Sequence, residues 1–248
     1  MTDDRMEFET QKRQYASEMD ADRAMQLDAR NFLIAADRHN WSYQWTWLGL
    51  PIIQLPSDIV AMQELIWTWK PDLIIETGVA RGGSLILSAS VLQLLGRGRV
   101  LGIDIDIRDH NRRAIESHPL ADRITLLEGS SLDDQIIAEA SRQAEQVDRV
   151  MVVLDSNHTH DHVLSELFAY SPLVSLGQYL VVCDTVVEDL PPQDHRPRPW
   201  GPGNNPDTAL QEFLRDNRNF EVDKEIQNKL LISSSPGGYL HRVLLEAS

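Results

Sequence analysis

Short apolar runs alternate with helical patterns along most of the chain, and this alternation predicts an α/β sheet. The runs are typical of strands that are buried on both faces of a parallel sheet. Five such strands are predicted, at 73–75, 99–104, 123–128, 148–155 and 178–184. Helical spacing of apolar residues predicts helices at 58–66, 85–92, 111–117, 133–145, 162–170 and 208–216.

The two ends of the chain depart from this alternation. Residues 1–40 contain no glycine or proline, and their apolar residues recur at roughly helical spacing, which predicts one or two amphipathic helices. Residues 191–206 are dense in proline, glycine and asparagine and predict an irregular loop. Apolar runs at 229–233 and 239–244 flank a Ser-Pro-Gly-Gly turn and predict a closing antiparallel hairpin.

The segment 41–51 holds half of the chain's tryptophans. It is either an aromatic anchor that fixes the N-terminal arm to the core, which its composition slightly favours, or the wall or lid of a binding cleft. We therefore expect two parts: an N-terminal helical arm with an aromatic lid segment over residues 1–50, and one sheet domain over residues 51–248.

Repeated strand–helix units followed by antiparallel strands describe an α/β fold with a Rossmann-like, doubly wound sheet. Ligands of such sheets bind beyond the carboxyl ends of the strands. Glu76, Asp104, Asp155 and Asp184 each lie at the end of a predicted strand. One such acid would be an ordinary turn residue, but four at one edge favour a binding site.

Composition excludes several classes of partner. The formal net charge is −15 and the isoelectric point is near 4.8, so nucleic acids and anionic membranes are not expected partners. A single cysteine, Cys183, rules out an internal disulfide. No apolar run is long enough to span a bilayer, and the N-terminus lacks the order of a signal peptide. We expect a cytoplasmic protein.

The turn after the first strand of the sheet carries the glycines. Its spacing differs from the G-x-G-x-x-G of dinucleotide sites, and no phosphate-binding G-K-[ST] follows. An acid before the first glycine would repel a pyrophosphate but suits a cofactor with an ammonium or sulfonium group. The alternative is a turn that needs glycine only for its geometry. The pattern E-x-G-x-x-x-G-x-S resembles the first motif of S-adenosylmethionine (SAM) methyltransferases, which makes Glu76, Gly78, Ala80, Gly82 and Ser84 candidate cofactor-binding residues.

Asp104 ends the second strand about 21 residues beyond Gly83, the interval at which an acid binds a ribose diol in such folds. The same acid suits an NAD-linked oxidoreductase, which is the first alternative function. That alternative lacks both the dinucleotide glycine spacing and an obvious partner for hydride transfer.

Asp155 and Asp184 end neighbouring strands, so their carboxylates can share a hard divalent ion such as Mg²⁺. Such an ion would lower the pKa of an acceptor hydroxyl, which gives Asp155 a catalytic part as well. The alternative for both acids is capping of the sheet end. His158, His160 and His162 could also form a metal site, but their alternate spacing along a loop rarely directs three rings at one ion.

His158 is the predicted general base. It follows Asp155 by three residues, and a neutral imidazole can accept the proton of the acceptor hydroxyl. His160 and His195 are the competing candidates.

Seven motifs together resemble the family of cephalosporin hydroxylases and rhamnosyl O-methyltransferases. They are Trp-Leu-Gly at 47–49, the glycine turn at 76–84, Gly-Ile-Asp at 102–104, Leu-Asp-Ser-Asn-His at 154–158, Pro-Leu-Val at 172–174, Trp-Gly-Pro-Gly at 200–203 and Pro-Gly-Gly-Tyr-Leu at 236–240. The resemblance spans about residues 45 to 243. It implies a methyltransferase domain over 51–248, SAM and a divalent metal as cofactors, and methylation of a hydroxyl on a sugar or another small metabolite.

The resemblance also implies residue roles. Gly78 and Gly82 would line the methionine and ribose part of SAM, Asp104 would bind the ribose, and Ser131 would lie near the adenine. Asp155 and Asp184 match metal-ligand positions. Cys183 departs from the family, because many members have a glutamate there. Either metal binding is weak or another residue replaces the missing ligand; the candidates are Asn157, Thr185 and Glu188.

A non-catalytic metabolite-binding protein is the second alternative function, and the missing metal acid keeps it open. The expected partner is a small-molecule or glycan acceptor. The amphipathic N-terminus also favours a homo-oligomer.

Overall fold

A computed structural model describes residues 4–192 and 196–243 of the chain. Its strands are β1 (Trp45–Trp47), β2 (Leu50–Ile52), β3 (Leu73–Thr77), β4 (Arg99–Asp104), β5 (Ile124–Glu128), β6 (Val150–Leu154), β7 (Tyr179–Val182), β8 (Phe220–Val222) and β9 (Tyr239–Arg242). Seven of them form one sheet in the order β5-β4-β3-β6-β7-β9-β8. The first five are parallel to one another, and β9 is antiparallel to both β7 and β8.

Helices cover both faces of this sheet. They are α1 (Arg5–Ala21), α2 (Arg23–Asp37), α3 (Pro56–Trp69), α4 (Gly83–Leu95), α5 (Asp109–Glu116), α6 (Asp134–Ala144), α7 (His160–Tyr170), α8 (Pro206–Asp216) and α9 (Lys224–Lys229). Ile74 faces a core that includes α3, α4, α5 and α9, whereas its neighbours Leu73 and Ile75 face a core with α6, α7 and α8. This alternation along β3 explains its continuous apolar sequence and confirms the doubly wound fold.

The ends of the central strands lie level with one another. Thr77 of β3 pairs with Ile103 of β4 and with Leu154 of β6, and Leu154 pairs with Val182 of β7. The residues that follow these strands therefore meet at one edge of the sheet, as the sequence predicted.

The antiparallel end of the sheet is confirmed, but the first strand of the predicted hairpin is wrong. The strand predicted at 229–233 does not form: α9 ends at Lys229, residues 230–233 have no regular secondary structure, and β9 pairs with β7 and β8 instead. Asp223 accepts hydrogen bonds from the first backbone N–H groups of α9 and so caps the helix. The following serines bind a buried carboxylate: Asp58 accepts from Ser233 Oγ at 2.6 Å and from Ser234 N at 2.8 Å. Those bonds replace a strand ladder.

The predicted helices of the N-terminal arm are confirmed. Residues 41–43 form a 3-10 turn after α2, and β1 and β2 make a small separate hairpin. Trp41 packs edge-on against Phe32 at 5.4 Å and against Trp45 at 6.1 Å between ring centroids. Among the helices that the structure describes, none is long and apolar enough to cross a bilayer.

Candidate active site

Gly78 makes the turn that leaves β3. Its φ of +94° lies in the region that favours glycine, and a Cβ there would lie 2.0 Å from the carbonyl oxygen of Asp155. Its N–H donates to the carbonyl of Ile103 at 2.8 Å. The absence of a side chain at Gly78 therefore brings the glycine turn against the loop that follows β6.

Gly82 and Gly83 serve the packing of α4. A Cβ on Gly82 would lie 2.5 Å from the Ile115 side chain, and one on Gly83 would lie 2.3 Å from the carbonyl oxygen of Pro51. Both directions lead to protein atoms instead of open space. Close packing against Ile115 and Pro51 is therefore enough to explain why these two positions are glycine. The contact of Gly82 with a cofactor remains a prediction.

Asp104 holds the glycine turn in shape. Its Oδ2 accepts hydrogen bonds from Val79 N at 2.8 Å and Ala80 N at 3.1 Å. Ala80 has a φ of +45°, and its carbonyl accepts from Asn111 Nδ2 at 2.8 Å. Asn111 is a residue that the sequence analysis missed, since nothing in its helix marks it as a partner of the turn. Together the two side chains fix Ala80, a strained and exposed residue that lines a cavity.

Glu76 is the buried acid of the turn, with only 2% of its surface exposed. Burial raises the pKa of its carboxyl to about 7, and a hydrogen bond from Ser84 Oγ opposes that rise. Near neutral pH the carboxyl is therefore balanced between its protonated and ionised forms. A cationic ligand would favour the ionised form.

Asp155, His158 and Asp184 converge at the carboxyl edge of the sheet. One potential ligand atom from each lies within 4.8 Å of the other two, and His158 Nε2 lies 3.5 Å from Asp184 Oδ2. Burial, and then the nearby Asp184 carboxylate, raise the pKa of Asp155 well above its usual range. Two carboxylates and an imidazole are a donor set that fits a divalent cation. A bound cation would relieve the charge repulsion between Asp155 and Asp184.

The residues considered as substitutes for the missing metal acid have other partners. Asn157 Oδ1 accepts from Thr159 N, Thr185 Oγ1 donates to the Pro236 carbonyl, and Glu188 Oε2 accepts from the N–H of Gly203 and from Asn205 Nδ2. Burial also raises the pKa of the Cys183 thiol, which disfavours the thiolate that binds metals. The structure instead brings His158 beside the two acids.

The three histidines have separate surroundings. His160 Nδ1 lies 2.9 Å from Thr208 Oγ1, and His162 Nε2 lies 3.2 Å from the hydroxyls of both Ser131 and Ser156. An all-histidine metal site is therefore absent from the described residues. His195 lies outside the described residues.

Ser131, predicted near the adenine, is buried in the middle of the β5–α6 loop. Besides its contact with His162, its carbonyl accepts from Tyr170 OH at 2.7 Å. Two residues of α7 thus fix the position of this loop beside the sheet edge.

A cavity of about 290 Å³ lies over the acid pair. Asp155, His158 and Asp184 line it together with aromatic side chains, namely Trp41, Tyr43 and Trp200. The Trp200 ring meets the His158 ring edge-on at 4.8 Å. The segment 41–51 thus contributes a cavity wall as well as an anchor for the arm, so both interpretations of its aromatic residues hold.

The strand order, the glycine turn and the acids at one sheet edge define the class: the protein is a SAM-dependent O-methyltransferase with a Rossmann-like fold. The chain belongs to the rhamnosyl O-methyltransferase/CmcI family, whose model matches residues 39–243. This membership confirms the resemblance and sets aside both alternative functions, the NAD-linked oxidoreductase and the non-catalytic binding protein.

Known proteins agree with this assignment. The rhamnosyl O-methyltransferase of Mycobacterium tuberculosis (strain ATCC 25618 / H37Rv) is 30% identical over 219 residues, which cover 84% of this chain and 85% of that protein. The Mycobacterium leprae protein of the same name is 30% identical over 218 residues, covering 84% and 90%. An apo structure of CmcI superposes with a TM-score of 0.58 at 22% identity, covering 82% of this chain and 78% of that chain.

Proposed function

We propose that this protein transfers the methyl group of SAM to a hydroxyl of a sugar or another small metabolite, assisted by a divalent cation. The convergence of Asp155, His158 and Asp184 on one cavity beside the glycine turn carries the proposal. Two findings on similar proteins support it: the curated relatives are rhamnosyl O-methyltransferases, and one structure of CmcI, with a TM-score of 0.54, contains Mg and SAM.

The SAM subsite is proposed along the turn after β3. The cationic end of SAM would lie near Glu76, which Ser84 orients, and Gly78, Ala80 and Gly82 would line the methionine and ribose. Asp104 would bind the ribose diol. Its carboxylate already accepts from the N–H groups of Val79, Ala80 and Asp106, which leaves about one of its four acceptor sites for a ribose hydroxyl. Ser131 would lie against the adenine.

Asp155 and Asp184 are the proposed metal ligands. A hard divalent cation held there would polarise the acceptor hydroxyl and lower its pKa. SAM supplies the methyl group on a sulfonium that is a good leaving group, so positioning and deprotonation are left to the chain.

His158 is proposed to take the hydroxyl proton. The Asp184 carboxylate at 3.5 Å and the edge-on Trp200 ring at 4.8 Å restrict the orientation of the imidazole in the cavity. Because His158 lies close to both carboxylates, its competing role is that of a third metal ligand. A measurement of metal affinity in a His158 variant distinguishes this role from that of the base.

Isothermal titration with SAM and NAD, followed by an assay for S-adenosylhomocysteine, tests the function. We expect SAM to bind, NAD not to bind, and S-adenosylhomocysteine to form when Mg²⁺ and a panel of sugar acceptors are present. Turnover should stop in EDTA and return with Mg²⁺ or Mn²⁺. Absence of SAM binding to the folded protein would refute the proposal, and full turnover in EDTA would remove the metal from it.

A homo-oligomer is proposed on the surface of α1. Met6, Phe8 and Tyr15 are exposed on this helix, although α1 also packs against α9. A second copy of the chain could cover those side chains. Light scattering after gel filtration should give the mass of an oligomer, and a Phe8→Glu variant should shift it toward the monomer. A monomer mass for the wild type would refute this proposal.

A further inference from the structure

Arginine side chains stand on the wall of a cavity whose floor is acidic. Arg196 and Arg198 line the cavity, while Asp155 and Asp184 lie in it and the whole chain has a net charge of −15. Positively charged side chains at this position are therefore unexpected unless they pair with groups of the protein or bind a ligand.

Arg196 has partners in the protein. Its guanidinium donates to Asp37 Oδ1 at 2.8 Å and lies over the Tyr43 ring, 5.2 Å from the centroid. Arg196 thus ties the loop before α8 to the N-terminal arm, and its charge is balanced by Asp37.

Arg198 differs from Arg196. Within residues 4–192 and 196–243 it forms no ion pair; its contacts are Tyr43 OH at 3.4 Å and the Trp200 ring, whose centroid lies 5.3 Å from its Cζ. The side chain is exposed and faces the cavity. Its guanidinium retains donors for a carboxylate or a phosphate.

The segment that carries Trp200 is fixed to both loops of the acid pair. Glu188, in the turn after β7, accepts from Gly203 N and Asn205 Nδ2, and the latter also donates to the Gly201 carbonyl. His160, which begins α7, donates its backbone N–H to Asn204 Oδ1 at 2.9 Å. These bonds fix the segment that holds the indole in contact with both the His158 imidazole and the Arg198 guanidinium.

We propose that the acceptor is anionic and that Arg198 binds its carboxylate or phosphate within the cavity in which the hydroxyl is methylated. The inference rests on the proposed function and specifies its substrate class. An anionic group next to Asp155 and Asp184 would be repelled, whereas at Arg198 it meets a planar donor that matches its geometry. A neutral acceptor would leave this guanidinium with no anionic partner, only its contacts with Tyr43 OH and the Trp200 ring.

Matched pairs of acceptors test the inference on the protein loaded with S-adenosylhomocysteine and Mg²⁺. The probes are glucose, glucuronate and glucose 1-phosphate, measured by titration at fixed ionic strength. We expect one or both anionic probes to bind at least tenfold more tightly than glucose, and the comparison of the two identifies carboxylate or phosphate. Arg198→Gln should remove this preference.

Arg218→Gln is the control variant. Arg218 is exposed and precedes β8, which runs parallel to β7, so it lies at the opposite edge of the sheet. It should keep the preference for the anionic probe. Arg198→Lys should keep part of that preference, because the charge remains while the bidentate geometry is lost.

Equal binding of all three probes to the wild type, including no binding of any, would overturn the inference, as would an unchanged preference in Arg198→Gln. If SAM still binds and neutral sugars are methylated, only the anionic acceptor is refuted. If SAM does not bind, the proposed function itself has failed.

Discussion

Replacing Glu76 by glutamine should stabilise the cofactor-free protein, and more so at pH 8 than at pH 5. Burial raises the folded-state pKa of Glu76 from 4.5 to about 7. Below pH 4.5 the carboxyl is protonated in both states, so no penalty arises. Between pH 4.5 and 7 the unfolded chain ionises first and stability falls as the pH rises. Above pH 7 the full penalty applies.

The size of this effect follows from the two pKa values. One pKa unit corresponds to about 1.4 kcal/mol, so the full penalty is about 3 kcal/mol. Roughly 2.5 kcal/mol of it should develop between pH 5 and pH 8, because part of it is already present at pH 5. Glutamine removes the penalty while keeping an oxygen that can accept the hydrogen bond of Ser84.

Urea unfolding of the wild type and Glu76→Gln at both pH values measures the difference directly. Glu221→Gln, at an exposed position on β8, is the control and should show no pH-dependent difference. SAM should bind more weakly to Glu76→Gln, since the cationic ligand loses a carboxylate. A stability difference between wild type and Glu76→Gln that is the same at pH 5 and pH 8 would mean that folding does not raise the pKa of Glu76.

Three further predictions concern the other residues of the site. Gly78→Ala should lower the free energy of unfolding by more than about 2 kcal/mol, through a positive φ and the contact with Asp155; Gly177→Ala, which has a positive φ but open space, should lose less in the same urea experiment. Asp155→Asn should abolish activation by Mg²⁺ while raising the melting temperature of the metal-free protein, because it relieves charge repulsion; an unchanged Mg²⁺ response would make this acid structural. His158→Ala should lower kcat roughly 10²–10⁴-fold with unchanged affinity for SAM and Mn²⁺; a loss of Mn²⁺ affinity would make it a ligand, and a larger loss of kcat in His160→Ala would identify that residue as the base.

The sheet and its edge could be predicted from local patterns. Short, continuous apolar runs such as 148–155 are typical of strands buried on both faces of a parallel sheet. The carboxyl ends of parallel strands lie at one edge of the sheet, so Asp104, Asp155 and Asp184 could be placed together. The strand predicted at 229–233 failed for a long-range reason. Asp58, far away in the sequence, binds the serines of this segment, and no local pattern reports that contact.

The chemistry of the cavity was less accessible to the sequence. Spacing placed His158 near Asp155, but only the folded loop shows its ring beside the Asp184 carboxylate. Arg196 and Arg198 differ because Arg196 forms an ion pair with Asp37 in the N-terminal arm, a contact that the sequence does not reveal. Such contacts join distant segments through side-chain direction, which periodicity does not encode.

In the proposed enzyme, the methyl donor and the metal meet where the glycine turn lies against the loop after β6. A crystal structure grown with S-adenosylhomocysteine and Mn²⁺ tests this most directly, because the anomalous signal locates the metal. We expect an anomalous peak shared by the carboxylates of Asp155 and Asp184, with product density along residues 76–84. Product density elsewhere, or a manganese peak away from both carboxylates, would contradict it.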